Sequence, residues 1–176
     1  MWFLEALREF WGRLNIFNRH KGISVQIFNK TFQEKIKSAL DLLSQYLPDE
    51  WRLVSKRIKV IYSMPTHFRR EDFERFVFHR SKGIIYVDTT KNFVPEDLAA
   101  FLVMSAFWLE HRLGENITQN DLFNRALAAR VSALEALTKD VSSVEKLKRE
   151  IKDGLYQKMF EKYPHIDKRM PRYEAA

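Results

Sequence analysis

The 176-residue chain contains no cysteine, which excludes a disulfide framework and any thiolate metal centre. Glycine and proline are scarce, five of each. The glycines do not cluster, so there is no glycine-rich phosphate loop and no nucleophile elbow around Ser105. No window holds the about 20 apolar residues that a membrane-spanning helix needs. A basic leader is also missing, because Glu5, Arg8 and Glu9 interrupt the first apolar residues. That pattern predicts no secretory signal and a cytoplasmic location. Scarce glycine and proline, absent cysteine and 30% charged residues lean towards a heat-adapted protein.

What is present is a large apolar fraction, 45% of residues with 14% aromatic. A chain of this length and composition predicts one packed domain rather than disorder. The net charge of +7 is unevenly placed. Arg52, Lys56, Arg57, Lys59, Arg69, Arg70, Arg75, Arg80 and Lys82 face only Glu71, Asp72 and Glu74 within the same segment. Nearly the whole excess of positive charge lies there.

The stretch from Pro95 to Gly114 organises the reading. Pro95 suits a first helical turn, Glu96 and Asp97 complement the positive end of the dipole, and Gly114 can close the other end. From Leu98 to Leu109 every residue except Ser105 is apolar. A helix without a polar face is buried on all sides. Ser105, flanked by Met104 and Ala106, is expected to bond back to the carbonyl four residues earlier.

Around this helix the spacing predicts a small α+β domain. Residues 2–17 place Phe3, Leu7, Phe10, Leu14 and Phe17 on one helical face, with Trp2 and Trp11 adding aromatic surface. Asn18–Gly22 reads as a polar link, and Ile23–Phe28 as a short strand or a lead-in. A helix capped by Asn29 or Thr31, with Glu34 as capping-box partner, carries Phe32, Ile36, Leu40, Leu43 and Leu47 inward and stops at Pro48. A short helical turn through Trp51 and Val54 follows. Arg57–Met64 alternates as a strand, and Phe73–His79 with Gly83–Asp88 reads as a hairpin turning at Gly83. Thr118 to Thr138 and Val141 to Tyr163 are further helices, the first with Leu122, Ala126, Ala129, Ala133 and Leu137 inside. The expected layout is an N-terminal helix and link (1–22), a single domain (23–163) and a frayed tail (164–176). Within the domain, a small antiparallel sheet of about three strands packs against the buried helix.

The order of strand, hairpin and a Pro95-Glu96-Asp97-Leu98 helix opening resembles the zincin metallopeptidases. In that family an edge strand like Ile84-Ile85-Tyr86-Val87-Asp88 precedes the active-site helix. Its H-E-x-x-H motif would begin about nine residues after the proline. Here Met104, Ser105 and Trp108 occupy the places of the two zinc ligands and the base. The inverted form, Phe107-Trp108-Leu109-Glu110-His111, keeps Glu110 and His111 but lacks the first histidine. The resemblance spans roughly residues 57–137. It implies a zincin-like fold without metal or cofactor, and carries no catalytic role to any residue. The five histidines (His20, His67, His79, His111 and His165) lack the close spacing of a metal site, and Glu110 with Asp88 is the one carboxylate pair to consider.

Two binding surfaces remain as expectations. In the basic segment, Arg69, Arg70, Arg75 and Arg80 interleave with Phe68, Phe73, Phe76 and Phe78. That combination suits nucleic acid or another polyanion, though a solvated sheet face with Phe inward fits equally. The aromatic helix face of Trp2, Phe3, Leu7, Phe10, Trp11, Leu14 and Phe17 suits its own domain, a second copy or partner, or a membrane surface. The functional expectation is a non-catalytic domain acting by binding. The alternatives are a polyanion-binding protein and an enzyme whose site follows no known motif.

Overall fold

The computed structural model describes residues 19–27, 29–63, 76–79, 83–87, 89–90, 92–111 and 119–154, with the backbone alone at 76–79, 111, 119 and 120. The expected helix over 2–17, the caps Thr118 and Gly114, and the tail 164–176 lie outside the described residues. Helix α1 (Lys30–Tyr46) starts where Asn29 Oδ1 accepts the Phe32 N–H at 3.1 Å. Asn29 is therefore the cap. Thr31 falls inside the first turn, and Glu34 pairs with Lys37 instead of closing a capping box. Phe32, Ile36, Ala39, Leu40 and Leu43 form its buried face, at the 3.6-residue period the sequence carries. Pro48 does end α1, and it also opens α2 (Pro48–Arg57), ten residues where a single turn was expected. Its missing N–H costs nothing in a first turn.

The strands are β1 (Arg19–His20), β2 (Ile23–Gln26), β3 (Val60–Ser63), β4 (Phe76–His79) and β5 (Ile84–Val87). They form one sheet in the order β1-β2-β3-β5-β4. Arg19–Gly22, read as part of a link, instead supplies β1 and its turn, with Lys21 and Gly22 both at positive φ. The class is α+β, as expected, with a small sheet packed against helices. The sheet is mixed rather than wholly antiparallel, and it has five strands rather than about three. The outer pairs β1–β2 and β4–β5 are antiparallel, while β3 runs parallel to both β2 and β5. The parallel pairing follows from connectivity, because α1 and α2 carry the chain back to the starting end of the sheet between β2 and β3. After β3 the chain skips one position, lays down β4 at the edge, and turns at Gly83 into the slot beside β3. Ile84–Val87 is thus an inner strand, and the edge belongs to β4.

Gly83 sets that slot. Its φ is +63°, and a β-carbon there would collide with the Arg57 carbonyl oxygen. Its own carbonyl accepts the N–H groups of Lys59 and Val60 at 2.8 and 3.3 Å, which starts the β3–β5 ladder.

Helix α3 (Pro95–His111) is the expected buried helix. Leu98 to Ala106, Trp108 and Leu109 are all buried, and Phe107 is half-buried. It packs against α1, α2 and α4 (Gln119–Leu137), and α5 (Val141–Lys152) packs on α4. Trp108 and Phe123 meet edge to face at 6.3 Å across the α3–α4 contact. Helix α5 stops at Lys152 rather than running on to Tyr163. The Asp153 and Gly154 N–H groups close its end on Arg149 and Ile151, with Gly154 at φ +68°.

The sheet has two apolar faces. Val25, Ile61 and Ile85 stand in one row and join the main core with α1, α2 and α3. Val60, Tyr62, Ile84 and Tyr86 lie on the other face and form a separate cluster. Tyr62 and Tyr86 stack there at 5.7 Å.

Candidate functional site

The described part of the basic segment is the end of α2 and the approach to β3. Arg52 and Lys56 stand one helical turn apart and are exposed, and Lys59 is exposed beyond them. Arg52 reaches Asp49 at 3.1 Å, and Lys59 Nζ donates to the Ser55 carbonyl at 3.0 Å. Arg69, Arg70, Arg75, Arg80 and Lys82 lie outside the described residues.

Sequence spacing gave no hint of what the structure does with Lys56 and Arg57. Both converge on Glu110 of α3, Lys56 Nζ at 3.1 Å from Oε1 and Arg57 Nε donating to Oε2. Glu110 belongs to the last turn of α3, where the negative end of the helix dipole opposes a carboxylate. Two cations at the end of α2 offset that opposition and clamp α2 to α3. Fifty-three residues separate Arg57 from Glu110, so no local pattern announces the pair. Asp88, the other half of the carboxylate pair considered above, is outside the described residues.

The positions of the zincin motif are core positions. Met104, Ser105 and Trp108 are buried, and Ser105 Oγ donates to the Phe101 carbonyl at 2.9 Å. A thioether, an occupied hydroxyl and an indole do not offer the imidazoles and carboxylate that a hydrolytic zinc requires. Among the described residues, no three His, Asp or Glu side chains come together as a metal site. The residues present do not fit zinc.

His20 is the only histidine whose side chain is described. Its Nε2 lies 2.9 Å from Asp41 Oδ1, and Lys21 Nζ lies 3.4 Å from the same oxygen. Burial pushes the Asp41 carboxyl up, but these contacts outweigh it and leave the group below its ordinary value. The contacts pin the β1–β2 turn to α1.

A buried cation also went unnoticed in the sequence. Arg130 of α4 is only 2% exposed. Its place was legible after the fact, since it lies four residues after Ala126 and three before Ala133, inside the apolar stripe. Leu122, Ala126 and Ala133 are buried as expected, while Ala129 and Leu137 are only half-buried.

An open groove of about 450 Å³ runs between α4 and α5, lined by Leu127, Ala128, Val131 and Ile151 with Glu135 and Lys148 at its rim. No helix among the described residues is long and apolar enough to cross a membrane. Comparison with protein-family models, with curated proteins and with solved structures finds no match.

Proposed function

We propose that the chain is a non-catalytic domain that keeps a zincin-like organisation without the metal motif and acts by binding. The observation that carries this reading is the burial of Met104, Ser105 and Trp108, with the one hydroxyl among them committed to its own helix. The Pro95-Glu96-Asp97-Leu98 opening of buried α3 supports it as well, although the strand before that helix, β5, is an inner rather than an edge strand. Glu110, the remaining acid of the inverted motif, serves instead to hold α2. Purified protein incubated with equimolar zinc and then desalted should retain none by elemental analysis. About one zinc per chain, removable together with a peptidase activity, would restore the enzyme reading.

A second reading, polyanion binding, is favoured by the exposure of Arg52, Lys56 and Lys59 at the start of the positive segment. Each phosphate neutralised releases counterions, so affinity for single-stranded DNA should fall steeply with salt. Arg69→Ala with Arg70→Ala should weaken binding alike for all sequences. Failure to retain DNA or RNA at low salt removes this reading.

A further inference from the structure

The second face of the sheet is buried by something other than the described helices. Val60, Tyr62 and Ile84 are 8%, 7% and 2% exposed, yet among the described residues their cluster consists of strand residues alone. The described helix residues of the main core belong instead to the cluster of Val25, Ile61 and Ile85. We propose that the aromatic face of residues 2–17 docks across this second face, over Val60, Tyr62, Ile84 and Tyr86.

Three observations select that segment. First, Phe3, Leu7, Phe10, Leu14 and Phe17 share one helical face, and an apolar strip of that size is rarely left in water. Second, the chain enters the sheet directly from this segment. Arg19 is the first residue of β1 and stands in register with Ser24, which is in turn in register with Val60. Ser24 is itself buried, so the cover extends to the β2 side where the segment arrives. Third, the lengths agree. Sixteen helical residues span about 24 Å, and five strands at about 4.8 Å spacing span about 19 Å. The chain beyond Gly154, by contrast, leaves from α5, which packs on α4 rather than on the sheet.

This docking decides among the three fates of the aromatic face, because residues that cover the sheet are not presented to a membrane or to a partner. The absence of cysteine makes a cross-linking test clean. In the full chain, Phe10→Cys is combined in turn with Val60→Cys and with Tyr86→Cys, and with Ser132→Cys on α4 as the control. Under mild oxidation at least one sheet pair should form an intramolecular disulfide about ten-fold more abundantly than the control, since the bond demands close β-carbons. Cross-linking no higher than the control overturns the proposal, as does cross-linking confined to dimers, which would place a second copy on the sheet. A second measurement leaves the sheet unaltered. Tyr62 should resist nitration in the native chain and become several-fold more reactive in Leu7→Asp. Unchanged reactivity would mean that another segment, such as residues 64–75, provides the cover.

Discussion

Helices α3 and α5 of this chain are held by different physics. Helix α3 spans 17 residues and is buried along nearly its whole length. Its middle is fixed by apolar contacts, and Glu110 in its last turn ties it to α2. Helix α5 spans 12 residues and buries only Val144 and Leu147. It relies on its ends and its surface. Asp140 caps it by accepting from the Ser142 N–H at 3.0 Å and from both serine hydroxyls at 2.7 and 2.6 Å. Lys148 bridges to Glu135 of α4 at 2.8 Å. The inner helix therefore has few neutral substitutions, whereas the outer one depends on local interactions that pH and salt can remove.

The largest expected effect sharpens that contrast. Phe101→Ala in α3 should lower stability by about 3–5 kcal/mol, the cost of a cavity in a fully packed site. Leu147→Ala in α5 should fall at the low end of the range for leucine truncation, about 2 kcal/mol, because a peripheral site relaxes more easily. Urea unfolding measures both, and equal losses would break the comparison. An intermediate effect is expected at Glu110, where α3 meets Lys56 and Arg57. Glu110→Ala should cost about 1.5 kcal/mol, at the low end for hydrogen bonds to charged groups, because 27% of the side chain faces water. Added salt should shrink the loss, whereas a loss independent of salt would mean that packing rather than charge holds α2 to α3.

The smallest effect belongs to the cap. Hydrogen bonds from Ser143 and Ser142 hold the Asp140 carboxyl below its ordinary value of 3.8. A carboxyl lowered on folding contributes stability above its unfolded value, and that contribution is lost as pH falls through the folded one. Asp140→Ala should therefore melt slightly lower than the native chain at neutral pH. The difference should disappear in acid, below both values. Thermal melts across a pH series test this, and a gap that persists in acid would contradict the assigned cause.

How much of this was legible follows from the range over which each signal acts. The unbroken apolar run from Leu98 to Leu109 announced α3, and the period of Phe32, Ile36, Leu40 and Leu43 announced α1, because both signals lie within one element. Gly83 was recognised as the turn residue for the same reason. Strand pairing was legible for the β4–β5 hairpin but not for the parallel pairings of β3. Ile61 and Val60 are both buried, on opposite faces, so alternation gave no inner or outer side, and the partners of β3 come from distant parts of the chain. The stop at Gly154 was within reach, since Asp-Gly interrupts the charged run, but helix-forming residues on both sides masked it. Among candidate site residues, the burial of Met104, Ser105 and Trp108 followed from the apolar run. Glu110 with Lys56 and Arg57 is a tertiary contact and had no local trace.

The strand order carries a consequence for how the chain assembles. Two of its pairings, β1–β2 and β4–β5, join neighbouring strands across short turns and can close within their own stretch of sequence. The other two both involve β3 and span whole intervening elements, α1 and α2 on one side and β4 on the other. Loop-closure entropy makes such distant contacts slow to form. The middle of the sheet is thus expected to be completed last, when β3 inserts between two preformed hairpins and joins them. Refolding should accordingly be limited by docking of β3, with Ile61 more sensitive in the folding rate than either outer strand.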